Sequence, residues 1–100
     1  MDITVSDVRG RSRYEARAGE QLAAFAEYVR APDTVTFTHT EVRDGFDGHG
    51  IASTLIRGAL DDVRAQGLAV IPVCPFVRGF LDRHRAEYGG LVAGSTPSPE

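Results

Sequence analysis

A chain of 100 residues, 42% hydrophobic and 25% charged, has the composition of one globular domain, which excludes wholesale disorder and membrane embedding. Its formal net charge of -3 offers no basic surface for phosphate contacts, so no nucleic-acid partner is expected. All 11 Lys/Arg positions are arginine, and the lone cysteine, Cys74, leaves no internal disulfide to form.

The N-terminus, MDITVSDVRG, lacks the charged-then-apolar pattern of a secretory signal, and runs such as LAVIPV are too short to cross a bilayer. A cytoplasmic location without a membrane partner is the expectation. From Arg11 to Arg17 polar and apolar side chains alternate around Tyr14 and Ala16, then meet Ala18-Gly19-Glu20, which predicts a hairpin with a strand on either side. The second of these, Leu22 to Arg30, is rich in alanine, and propensity alone favours a helix there. Ala31-Pro32-Asp33 breaks the segment. Thr34 to Val42 is dense in threonine, valine and phenylalanine and reads as a strand. A period of two puts Val35, Phe37, His39 and Glu41 on one face and Thr36, Thr38, Thr40 and Val42 on the other.

Ile51, Ala52, Leu55, Ile56, Ala59, Leu60 and Val63 recur at helical spacing, so a helix with one buried stripe follows and ends at Gln66-Gly67. LAVIPV then reads as a buried strand. Pro75 suits the first turn of a second helix, whose apolar residues Val77, Phe80 and Leu81 carry it to about His84. No repeat is present. Residues 1–93 are expected to form a single domain and 94–100, small, polar and proline-containing, a flexible tail.

DGFDGHGIAS, from Asp44 to Ser53, is a glycine loop between a strand and a helix. A helix N-terminus presents unsatisfied N–H groups and the positive end of its dipole, and glycines let an anion approach that backbone closely. The loop is therefore a candidate phosphate cradle. A nucleoside-triphosphate loop needs a lysine that this chain lacks, and the dinucleotide fingerprint is matched at only two glycines of three.

HTEVRDGFDGHGIASTLIRGAL followed by VIPVCPFVRGFLDRH resembles the short, single-domain branch of the GNAT superfamily of N-acetyltransferases, over roughly Tyr14 to Val92. The resemblance implies an α+β fold with a mixed sheet, mostly antiparallel strands in the N-terminal half followed by helix, strand and helix. It makes Leu22 to Arg30 a strand against its propensity. It also implies acetyl-coenzyme A as co-substrate, no metal, and an amine acceptor that is either a small molecule or part of a protein. The strands ending at Val42 and Val73 would splay to admit the pantetheine arm, held by backbone near Glu41 and Val42. The pyrophosphate would rest on Asp47, Gly48, His49, Gly50, Ile51, Ala52 and Ser53, with Phe76 and Arg83 as further cofactor contacts. In the family pattern Q/R-x-x-G-x-G/A, Gly50 and Ala52 match and Asp47 does not. A carboxylate there repels an anion and is placed to cap the helix by accepting from the N–H of His49 or Gly50. His49 or Arg43 would supply compensating charge.

The same resemblance pairs Cys74 with His39 as the candidate catalytic residues. Cys74 stands where a strand becomes a helix, so the dipole favours its thiolate, which would take the acetyl group before passing it on. His39 would be the base for the thiol or for the incoming amine. Other readings stay open: Cys74 as a small buried hydrophobe, His39 as a hydrogen-bonded core histidine, Glu41 as a solvated strand end, and Arg78, Arg83 and His84 as a solvated helix face. Tyr88 either packs against the sheet or touches a ligand. Direct transfer without acetyl-Cys74, a non-catalytic coenzyme A-binding module and an interaction protein are the alternatives to covalent catalysis. For oligomeric state, a free strand edge near the N-terminus suits a weak dimer, while Arg11, Arg13 and Arg17 would protect that edge and keep a monomer.

Overall fold

A computed structural model describes residues 2–94; the expected tail beyond Gly94 lies outside the described residues. The chain runs β1 (Ile3–Val8), a 3-10 turn (Arg9–Arg11), β2 (Arg13–Ala18), β3 (Gln21–Arg30), β4 (Thr34–Val42), α1 (Ile51–Ala65), β5 (Ala69–Pro72), α2 (Pro75–Arg83), α3 (Arg85–Tyr88) and a last 3-10 turn (Gly89–Leu91). The strands form one sheet in the order β1-β2-β3-β4-β5. The first four are antiparallel and β5 joins β4 in parallel through the α1 crossover. This is the mixed α+β architecture that the sequence suggested.

Periodicity left β1 unassigned. Its Ile3 and Val5 are half-buried and alternate with exposed Thr4 and Ser6, and it pairs along β2 from Ile3 with Ala18 to Val8 with Arg13. The edge that Arg13 and Arg17 were expected to guard is therefore covered by a strand. Those two arginines instead bond the carboxylate of Glu15, at 2.8 and 2.9 Å, and so satisfy a side chain that is only 2% exposed. Close approach of β1 to α1 explains Gly58, where an added Cβ would stand 3.0 Å from Val5.

Leu22 to Arg30 is extended, as the resemblance implied and propensity did not. Ala23, Ala24, Phe25, Ala26 and Tyr28 are all buried, and burial between a helix and neighbouring strands outweighs the few tenths of a kcal/mol per residue by which alanine favours a helix over other residues. α1 lays Ile51, Leu55, Ile56, Ala59, Leu60 and Val63 against the sheet, where they meet Tyr14, Val35, Phe37 and Val70 in one core. Ala52, assigned to the same stripe, is only half-buried.

The alternation expected for β4 holds only in its first half. Pairing with β3 runs Ala24 with Val42 through Glu27 with His39, then Tyr28 with Phe37, so Thr38 has no partner and is a bulge. An unpaired residue shifts the strand by one and exchanges its faces. Val35 and Phe37 are buried as predicted, but beyond Thr38 it is Thr40 and Val42 that turn toward the core, while His39 and Glu41 are exposed. The expected face of Val35, Phe37, His39 and Glu41 is thus corrected.

Candidate functional site

The Asp44 to Gly50 loop is shaped by three glycines with left-handed backbone, Gly45, Gly48 and Gly50, and pinned by Phe46. The Phe46 ring is buried, and its N–H donates to the Arg43 carbonyl at 3.1 Å. Gly50 is the N-cap of α1 at φ 69°, and no side chain caps the helix terminus by accepting from its N–H groups. Asp47 therefore does not cap the helix, contrary to the sequence expectation. Its carboxylate is exposed, and the first-turn donors are left for another acceptor.

Those donors line a pocket of about 210 Å³ whose walls are Asp47, Gly48 and Gly50 from the loop, Ile51, Ala52 and Ser53 from α1, with Val42, Phe46 and Phe76 closing it. A wider cleft of about 660 Å³ at the start of β3 and the end of β4 includes Gln21, Leu22, Glu41 and Arg43, and it shares Val42 and Phe46 with the first. The expected cofactor residues Glu41, Val42, Asp47, Gly48, Gly50, Ile51, Ala52, Ser53 and Phe76 thus gather at the C-terminal end of β4. His49 and Arg83 line neither cavity. Both are exposed, and Arg83 lies in the last turn of α2, where its guanidinium folds back toward Gly79.

β4 and β5 part company beside this groove. Their parallel pairing stops at Phe37 with Pro72, and the N–H groups of Val73 and Cys74 both donate to the Phe37 carbonyl, at 3.1 and 2.9 Å. Beyond that point Thr38 to Val42 has a strand partner only in β3. The edge is bared here because β5 ends at Pro72. Cys74 sits in the fork as N-cap of α2, with Pro75 at the first helical position.

The Cys74 side chain is buried, and its Sγ lies 3.4 Å from Oγ1 of Thr40. Burial alone would raise the thiol pKa, but hydrogen bonds from the Thr40 hydroxyl and from the N–H groups of Val77, Phe76 and Thr40 outweigh it, and the thiol is held below its ordinary value. His39 stands elsewhere. Its Nε2 is 3.3 Å from Oε1 of Glu41, its ring centroid is 6.1 Å from that of Phe25, and its side chain is 54% exposed. Cys74 and His39 occupy opposite faces of β4, and the reading of His39 as a core histidine fails on its exposure.

Thr40 is the residue that the periodicity reading passed over. It lies inside the H-T-E-V segment, but its approach to Cys74 depends on the bulge at Thr38. Tyr88 is a packing residue: it is 2% exposed and its hydroxyl donates to Asp61 at 2.6 Å. His84 stacks on Phe80 with centroids 4.2 Å apart, while Arg78 is exposed. Among the described residues no group of three or more His, Cys, Asp or Glu side chains is arranged to hold a metal, and no helix is long and apolar enough to cross a membrane.

A family profile described as GCN5-related N-acetyl-transferase matches residues 13–91. Protein NATD1 of Xenopus tropicalis is 32% identical over 82 residues, covering 79% of this chain and 74% of that one. Among solved structures, a GCN5-like protein from Staphylococcus aureus superposes with a TM-score of 0.64 at 20% identity, over 95% of this chain and 90% of the other. The ribosomal-protein-alanine N-acetyltransferase of Brucella melitensis biovar Abortus 2308 gives 0.55 at 21% identity, over 88% and 67%. At these identities the two structures speak for the fold.

Proposed function

Because the chain belongs to the GCN5-related N-acetyltransferase family, we propose that it moves an acetyl group from acetyl-coenzyme A to an amine by way of Cys74. The observation that carries the reading is one continuous arrangement: an uncapped helix N-terminus behind a glycine loop, a fork between β4 and β5, and a buried thiol in that fork.

The cradle fits a pyrophosphate. Gly48 and Gly50 have open space at the Cβ position, so their N–H groups and those of Ile51 and Ala52 can approach phosphate oxygens together, reinforced by the dipole of a 15-residue helix. The Thr38 to Val42 edge offers backbone partners to a peptide-like pantetheine arm, as a strand edge does to a peptide. The Cys74 thiolate attacks the acetyl carbonyl carbon, the new carbon–sulfur bond forms as the old one breaks, and coenzyme A leaves as a thiolate that takes a proton from water. The amine then attacks acetyl-Cys74, which yields the amide and restores the thiolate. The proton that the amine gives up passes to water, because His39, bonded to Glu41 on the opposite face of β4, is out of reach of acetyl-Cys74. Asp47 on the pocket wall opposes an anion and is the one observation that favours a weakly binding, non-catalytic module.

Calorimetry with acetyl-coenzyme A followed by intact-mass spectrometry tests this. Micromolar binding, worth about 8 kcal/mol, and one acetyl adduct that disappears in Cys74→Ser are expected. The adduct is easy to place because the chain has no lysine. Binding without an adduct would sink the covalent route, and no binding would sink the coenzyme A reading altogether.

A further inference from the structure

We infer that Thr40, and not His39, is the residue that positions the Cys74 sulfur and stabilises its ionised form. The inference rests on the proposed role of Cys74 and adds a group that this role requires. The bulge at Thr38 decides the matter geometrically, because without it His39 would point to the core side of β4 and Thr40 to solvent. With it, Oγ1 of Thr40 lies 3.4 Å from Sγ, and the imidazole is engaged by Glu41 on the other face.

In the neutral thiol either atom of this pair can donate, but once the thiol ionises only the hydroxyl has a proton to give. The bond then becomes charge-assisted and stronger, so it favours the thiolate over the thiol. The N–H groups of Phe76 and Val77, in the first turn of α2, act in the same sense. On β4, β5 and α2 the charged groups turn away from the sulfur. β5 has no titratable side chain, His39 and Glu41 of β4 face outward, and Arg78, Asp82 and Arg83 of α2 are exposed. Cys74 is thus a thiolate site built from neutral donors rather than an ion pair with histidine. Its ionisation should be independent of the charge on His39.

The experiment is a pH titration of thiolate absorbance near 240 nm, with the Cys74→Ser protein as blank, on the parent and on Thr40→Val, Thr40→Ser and His39→Gln. It is run without acetyl-coenzyme A, so its outcome does not depend on whether the cofactor binds or is turned over. Thr40→Val is nearly isosteric and should lower the thiolate-to-thiol ratio near neutral pH by about fivefold to tenfold. Thr40→Ser should restore it to within about twofold, and His39→Gln should leave the curve unmoved. Circular dichroism verifies that the variants are folded, and Thr40→Ser carries the test if Thr40→Val is not. An unchanged titration in folded Thr40→Val, a thiolate lost in folded Thr40→Ser, or a shift in His39→Gln equal to that expected for Thr40→Val would overturn the assignment.

Discussion

Alkali is a selective probe of this core, because the chain has three tyrosines and no lysine. Between about pH 9 and 12 the titrating groups are those tyrosines. Each hydroxyl donates to a carboxylate: Tyr14 to Asp62 at 2.7 Å, Tyr28 to Asp7 at 2.5 Å and Tyr88 to Asp61 at 2.6 Å. Burial first, and then the neighbouring carboxylate, push Tyr28 up to about 12, hold Tyr14 far above its ordinary range and raise Tyr88 as well. All three folded values lie above that of the unfolded chain, near pH 10. The stability they confer is complete below that pH and is lost as pH rises through the folded values. Over that interval each tyrosine kept neutral costs on the order of 1 to 2 kcal/mol per pH unit against the unfolded state. For Tyr14 and Tyr28 the fall is at most roughly 3 kcal/mol per unit, or about 5 by pH 12, and Tyr88 adds in the same direction; this is comparable with the lower end of the 5–15 kcal/mol typical of a whole domain. The expected result is a single cooperative transition between about pH 11 and 12, in which tyrosinate absorbance near 295 nm and far-UV circular dichroism change together. Tyr28→Phe should flatten the fall by about a third to a half. A gradual rise of tyrosinate centred near pH 10, with the dichroism unchanged, would refute the reasoning.

Other consequences concern the loop and the sheet. Gly50→Ala keeps open space around the new methyl but forces alanine to φ 69°, so about 1–2 kcal/mol of stability should be lost, read as a drop of roughly 4–15 °C in Tm, together with weaker coenzyme A binding by calorimetry. Asp47→Arg exchanges a repulsive for an attractive charge beside the α1 terminus; coenzyme A should bind about threefold to tenfold more tightly at low salt, and equal or weaker affinity would count against a cradle there. Glu15 is held below its ordinary value: burial alone would raise it, and the hydrogen bonds and charges of Arg13 and Arg17 overcome that. Its contribution is present above about pH 4 and is lost as pH falls through the lowered folded value. Glu15→Gln should therefore destabilise the protein at pH 7 and make urea midpoints less sensitive to acid, and a parallel loss at every pH would contradict this.

Local patterning settles much of this molecule before any contact is known. The stripe from Ile51 to Val63 reads as α1 because a helix repeats its buried face every three to four residues whatever it packs against. The glycines before it mark a cradle because positive φ is a property of single residues. Pro75 opens α2 for the same local reason. The strand nature of Leu22 to Arg30 came from resemblance alone, since alanine's own preference is for a helix. Tertiary structure decided the rest. β1 became a strand by finding β2, and Glu15 could be buried because two arginines on its own strand turn back to it. The bulge at Thr38 removed His39 from the thiol and put Thr40 in its place. A bulge is a mismatch in length between paired strands, so it belongs to the ladder of β3 and β4 and to neither segment alone. The residues of the fork were legible in the chain, but which of them faces Cys74 was settled only when that ladder formed.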